Sequence, residues 1–300
     1  MKILFDNVNF KSRSGPNSFG RKLSNQFLKN GHEISVIPEK DAQFDAQLSF
    51  IAASCKVAPI IQRLDGIYFN SDQDFIKLNQ PIEATYALAD AVIFQSNFNK
   101  MLTEHHFGKH KNSAVIHNGT DMGEINKIQE VSSDTLDTFD KMWCCASSWR
   151  PHKRLSENVR YFLEYSGKND CLVIAGENPD VRISNPRIFY AGDLEWSGLI
   201  GLYKRSDIFL HLAWLDHCPN VVIDARACNL HIVCSSSGGT KEIAGINSTI
   251  IEEEEWDFSP TRLYHPPKMN FSNRVDNSRD SDIDISNVYE KYLSAIGSVV

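Results

Sequence analysis

Short apolar runs alternate with longer amphipathic segments along most of this chain. Met1-Lys2-Ile3-Leu4-Phe5-Asp6 opens it as a buried-strand pattern. A helix follows, with Phe19, Leu23 and Phe27 on one face and Gly31 as its stop. Further strand-like runs cover 60–66, 89–96, 114–121, 141–146 and 231–234, and a helix is read over 98–104. Strands that alternate with helical segments predict an α/β protein with mostly parallel, doubly wound sheets. Near the end, Ile283, Ile285, Val288, Tyr289, Tyr292, Leu293 and Ile296 form the apolar face of a last helix.

Two stretches break the alternation. Residues 122–140 are polar and acidic, with Glu124, Glu130, Asp134, Asp137 and Asp140, and they separate two α/β halves. Residues 258–282 are rich in Pro, Asn, Ser and charge and read as an extended excursion. The 300 residues suffice for two domains.

The most informative segment is 215–229, where Asp216 and Asp224 stand eight residues apart. A loop ending in Pro219 leads from the first acid into an apolar helical run. Proline suits a first helical turn, so Asn220 and Val221 would present backbone N–H groups at the positive end of the helix. Such an end binds anions. Amides for a phosphate, one carboxylate for sugar hydroxyls and another for ribose are the groups that nucleotide-sugar chemistry needs. Downstream, 231–234 leads into Ser235-Ser236-Ser237-Gly238-Gly239-Thr240-Lys241-Glu242-Ile243. The glycines admit a close ligand approach, and Thr240 is expected to cap a short helix. Upstream, Arg150, Lys153 and Arg154 follow the strand at 141–146. Cations at a helix start oppose its dipole, so something anionic is expected beside them.

These motifs, in this order, resemble those of retaining glycosyltransferases with the two-domain GT-B fold, especially glycosyltransferase family 4. The family carries two Glu where this chain has Asp216 and Asp224, and Asn229 and His231 replace the Gly and Pro usual before the next strand. The resemblance extends to the loop around Gly15, to Asp65 (with Arg63 in place of a nearby His) and to Asn118-Gly119-Thr120-Asp121. It implies two Rossmann-like domains facing across a cleft: an acceptor-side domain at 1–138, a nucleotide-sugar domain at 139–270, and a helix at 271–300 that returns to the first domain. Lys153, with Arg150 or Arg154, would hold the donor diphosphate. Asp216, Pro219, Asn220, Val221 and Gly239 would take the donor sugar and phosphate, Asp224 the ribose, and Asp65 and Gly15 would line the acceptor side. Asp216, Lys153 and Asp65 are the catalytic candidates. The implied reaction moves a sugar from a nucleotide diphosphate sugar to a glycan, glycolipid or protein acceptor, with retention and without a metal. The alternatives are a weakly active or inactive nucleotide-sugar binder and, behind it, a sugar-nucleotide epimerase.

Composition adds exclusions. A net charge of −7 disfavours nucleic acid as a partner. The seven cysteines lie mostly in apolar runs without a CxxC, and no signal peptide precedes Met1-Lys2, which points to reduced thiols in the cytoplasm. Cys218 with His217 lacks two further metal ligands at suitable spacing. His105, His106 and His110 are expected at the surface, and His117 at a strand end. No run of 18 apolar residues spans a bilayer, although the cations Lys100, Lys109 and Lys111 allow a peripheral membrane or acceptor contact.

Overall fold

The computed structural model describes residues 1–39 and 42–300. The chain divides into two compact units. The first comprises Met1–Asp121, Phe258–Thr261 and Asp282–Val300, and the second comprises Met122–Asp257 and Arg262–Ser281.

In the first unit, β1 (Lys2–Asp6) is followed by α1 (Gly15–Lys29), β2 (Glu33–Ser35), β3 (Ala46–Phe50) and β4 (Ile60–Leu64). Then come α2 (Phe75–Leu88), β5 (Ala91–Phe94), α3 (Asn97–Phe107) and β6 (Ser113–Val115). The sheet order is β2-β1-β3-β4-β5-β6 with every pairing parallel. Ile3, Leu4, Phe5 and all of β3, β4 and β5 are buried, as expected where helices cover a parallel sheet. Helix α1 buries Phe19, Leu23 and Phe27, carries a proline in its first turn and stops at Gly31, whose φ is +78°. Helix α3 runs three residues beyond the expected Glu104. His106 and His110, expected at the surface, are half-buried: their Nε2 atoms lie 3.0 Å from Phe258 O and 3.1 Å from Ala89 O.

The second unit begins with α4 (Met122–Lys127) and β7 (Lys141–Ala146), then α5 (Leu155–Tyr165), β8 (Asp170–Ala175), β9 (Ile188–Gly192) and α6 (Trp196–Arg205). It continues through β10 (Ile208–His211), α7 (Asn220–Ala227), β11 (His231–Ser235), α8 (Thr240–Ile243), β12 (Ser248–Ile251) and β13 (Arg274–Asp276). The sheet order is β13-β12-β11-β10-β7-β8-β9, and β13 alone pairs antiparallel. The chain builds outward from β7 to β9, returns to the other side of β7 at β10, and builds outward again. The order therefore reverses between β7 and β10, and such a switch point opens a crevice at the strands' carboxyl ends.

The observed division differs from the borders read in the sequence. Residues 122–138, assigned to the first domain, pack with the second unit: Val131 donates its N–H to Gly201 O at 3.1 Å, and Lys204 Nζ donates to Ile128 O at 2.6 Å. Met269 and Phe271 are buried in the second core and β13 extends its sheet, so the excursion belongs to this unit from Arg262 to Ser281, whereas its start, Phe258–Thr261, belongs to the first. The last helix, α9 (Ile285–Gly297), belongs to the first unit, where Ile285, Val288, Tyr289, Tyr292 and Ile296 join the core with Phe19, Leu23 and Phe27. Gly119 makes this packing possible. A Cβ there would lie 2.9 Å from Val288 Cγ2, while Thr120 exchanges backbone hydrogen bonds of 2.8 and 3.0 Å with Ile283 and Ile285. Among the described residues, no helix is long and apolar enough to cross a membrane.

Candidate functional site

Three loops meet at the switch point of the second unit. After β7, the chain makes a 3-10 turn, Pro151–Lys153, and Arg154 adopts a left-handed conformation with φ 52°. After β10, Leu215 is also left-handed, with φ 55°, and carries the chain to Asp216. Asn158 of α5 ties these two loops together. Its Nδ2 donates to Arg154 O at 2.8 Å and Lys153 O at 3.2 Å, and its Oδ1 accepts from Leu212 N at 3.2 Å. Trp214 adds a 2.7 Å backbone bond to His152 O.

The third loop, after β11, braces the second. Gly239 donates its N–H to Asp216 O at 2.7 Å, and Ser237 Oγ accepts from Leu215 N at 3.3 Å. Gly238 sits at φ +86°, and a Cβ there would lie 2.4 Å from Asp216 O and 2.8 Å from Asp216 N. Only glycine fits both the torsion and the space. The glycine pair thus serves Asp216's backbone, and the Gly239 amide is engaged there rather than turned to a ligand. Thr240 does not cap α8. It is that helix's first residue, and its buried hydroxyl has no hydrogen-bond partner among the described residues.

The side chains that converge are Lys153, Asp216 and His211. Lys153 Nζ lies 2.6 Å from Asp216 Oδ2, and His211 Nε2 lies 2.9 Å from the same oxygen. Asp216 Oδ1 accepts from His217 N at 3.0 Å. Burial pushes the Asp216 carboxyl up, but the Lys153 charge and the His211 hydrogen bond outweigh it and hold the group well below its ordinary range. Asp216 is therefore ionised. Burial keeps His211 below its usual value, and burial with the neighbouring Lys153 charge lowers His152 to about 3. His217 falls to about 4 for want of water. All three imidazoles are neutral at neutral pH, so the charge here is one cation and one carboxylate.

The other donor candidates lie around this pair. Arg154 is committed elsewhere: its guanidinium, 1% exposed, forms a two-pronged bridge of 2.9 and 2.8 Å to Glu253 and donates to Pro267 O at 2.9 Å. Ser235 also hydrogen-bonds Glu253. Arg150 is exposed. The anions expected beside this cationic turn are thus Asp216 and Glu253 themselves. Pro219 immediately precedes α7 rather than occupying its first turn, and Asn220 and Val221 are the first two helical residues. Asp224 is buried in α7, and its Oδ2 accepts from Trp196 Nε1 at 2.9 Å. The two acids therefore have separate partners.

In the first unit, Asp65 follows β4 and pairs with Arg63, which is fully buried. Arg63 also donates to Asn118 Oδ1 at 2.6 Å and lies 4.5 and 5.3 Å from the ring centres of Phe19 and Phe50. It points into the core as Asp65's counter-ion, a role its sequence position does not reveal. Burial raises the Asp65 carboxyl, partly offset by Arg63, and its Oδ2 has no hydrogen-bond partner among the described residues. Gly15 is the exposed first residue of α1.

Residues 142–259 match the family described as Glycosyl transferases group 1. No curated protein matches the chain. Among solved structures, HepE of Anabaena in complex with UDP-glucose superposes with a TM-score of 0.67 at 12% identity, covering 99% of this chain and 100% of that one. AviGT4, a glycosyltransferase of avilamycin A biosynthesis, gives 0.65 at 13% identity, covering 99% and 97%. Sucrose-phosphate synthase from Thermosynechococcus elongatus gives 0.64 at 11%, covering 99% and 91%. Two Rossmann-like parallel-sheet units are the shared architecture.

Proposed function

Starting from a group 1 glycosyltransferase match over residues 142–259 in a chain of GT-B fold, we propose that this protein transfers a glycosyl group from a nucleotide diphosphate sugar to an acceptor hydroxyl, with retention at the anomeric carbon and without a metal. The observation that carries the reading is the Lys153–Asp216 pair beside the β7/β10 switch point. HepE was solved with UDP-glucose and with UDP, which supports a nucleotide-sugar donor here.

Lys153 and the exposed Arg150 hold the diphosphate and balance the charge that grows on it as the bond to the sugar breaks. Asp216 faces the sugar, and the first amides of α7 complement phosphate. Asp224, its carboxylate held by Trp196 Nε1, meets the ribose. Asp65 and the Gly15 loop serve the acceptor, a glycan, glycolipid or protein. In the transfer, the bond between the anomeric carbon and the phosphate oxygen breaks and its electron pair stays on the diphosphate. The acceptor oxygen bonds to the anomeric carbon from the same face, and its proton passes to the departing phosphate oxygen. No side-chain base is required.

Incubation with UDP-, GDP- and ADP-glucose in the presence of EDTA tests this. One donor should release its nucleotide faster when an acceptor glycan or lipid extract is added, and NMR of the product should show the donor's anomeric configuration. Binding without any nucleotide release would leave a non-catalytic binder, and an inverted product or dependence on added Mg²⁺ would refute the mechanism.

A further inference from the structure

His211 ends β10 and is 4% exposed, and nothing in its sequence context marks it for function. Its imidazole shares one oxygen of Asp216 with Lys153. The two partners differ in what they can do. Lys153 carries its charge on a flexible stem and is 19% exposed, whereas the His211 ring lies parallel to the buried Phe209 ring, with planes within 10° and centres 6.3 Å apart. Lysine can turn to another anion, and the packed imidazole stays. Once Lys153 engages a diphosphate, Asp216 would keep only the His217 backbone N–H unless a second side chain held it. A carboxylate stripped of partners in a low-dielectric site is costly.

We propose that His211 is a positioning residue, donating its Nε2–H to Asp216 so that the carboxylate keeps its place and its charge when Lys153 turns to the donor diphosphate. The inference rests on the glycosyltransferase reading above. Burial, reinforced by Lys153 and opposed by Asp216, keeps the imidazole neutral. A neutral donor orients the carboxylate without cancelling its negative charge, which a cationic partner would do. That charge is what a transition state with positive character at the anomeric carbon can use. Lys153 thereby changes partner on donor binding, and His211 is the fixed half of the pair.

Two variants separate positioning from packing. Gln places an amide N–H close to the imidazole Nε2, and Ala removes the donor. For the nucleotide-glucose that the wild type turns over, His211→Ala should lower kcat at least tenfold while the Kd for the free nucleoside diphosphate changes less than threefold. His211→Gln should recover most of kcat. Proton–nitrogen NMR of the wild type should show His211 as the neutral Nε2–H tautomer before and after the diphosphate is added. Wild-type kcat in His211→Ala, a loss that Gln does not restore at unchanged Tm, or an Nδ1–H tautomer would overturn the assignment to His211. A wild type that binds no nucleoside diphosphate would instead overturn the functional reading on which it rests.

Discussion

Glu253→Gln is the substitution whose cost follows most directly from the structure. Arg154 is 1% exposed and Glu253 11% exposed, and the guanidinium reaches both carboxylate oxygens, at 2.8 and 2.9 Å. Removing one partner of a buried pair leaves an uncompensated charge and costs about 3–5 kcal/mol. The amide keeps one acceptor and nearly the same volume, so the lower end, about 3 kcal/mol, applies. Arg154 also sits in the left-handed region at φ 52°, a strain of roughly 1–2 kcal/mol for a residue with a Cβ that the pair helps to hold. For a unit of this size each kcal/mol moves Tm by about 2–4 °C, so the second unit should melt at least roughly 6 °C lower. Calorimetric unfolding of the whole chain reads this out. The double variant Arg154→Met with Glu253→Leu should be less destabilised than Glu253→Gln, because an apolar pair leaves no charge stranded. A Glu253→Gln transition within about 1 °C of wild type would show that Arg154 is solvated or paired elsewhere, and the argument that it is withdrawn from the diphosphate would fail with it.

Other outcomes follow from the same geometry. Gly238→Ala forces a methyl group against the Asp216 backbone and a residue with a Cβ to φ +86°. Nucleotide affinity and turnover should both fall at least tenfold, while circular dichroism stays close to wild type. Stability should decline as pH falls from about 6.5 toward 4, because the unfolded chain protonates His152 and His217 near 6.5, whereas the folded protein resists until about 3 and 4 respectively. Each such group contributes a slope of about 1.4 kcal/mol per pH unit, so His152→Gln should flatten the urea-monitored profile by about one proton. The depressed Asp216 acts in the same direction but at lower pH: its contribution is present above its unfolded value and is lost only in stronger acid, so Asp216→Asn should leave the pH 4–6.5 slope nearly unchanged while cutting turnover at least tenfold.

How much of this was legible in the sequence depended on distance along the chain. Local periodicity found β7, α1 and the buried face of α9, because each is written in a single run of residues. The Asp216 loop, the glycine pair and the cationic turn were also readable as separate motifs in order. What joins them was not. Lys153 and Asp216 are 63 positions apart, and Arg154 and Glu253 99 apart. Nothing local tells Arg154 from Arg150, and Glu253 is one of four consecutive glutamates with nothing in the sequence to single it out. Trp196 reaches Asp224 across 28 positions, and His211, although only five residues before Asp216, carries no motif that marks it. The glycine pair suggests room for a ligand, whereas the space at Gly238 is taken by Asp216's own backbone and the Gly239 N–H is bonded to it. The unit border moved for a similar reason: residues 122–138 are polar in composition, yet their backbone groups bond to α6.

The most direct measurement of the central claim is isothermal titration of UDP, GDP and ADP into the wild type and Lys153→Ala, with EDTA present throughout. Lys153 is the one side chain in the cluster placed both to neutralise Asp216 and to turn to a diphosphate. Losing a charge-assisted hydrogen bond costs about 1.5–3 kcal/mol, so the nucleotide that binds wild type should weaken by roughly 10- to 150-fold in the variant at unchanged fold. Equal affinities in the two proteins, or no binding of any of the three nucleotides to wild type, would contradict a donor diphosphate site at the β7/β10 switch point.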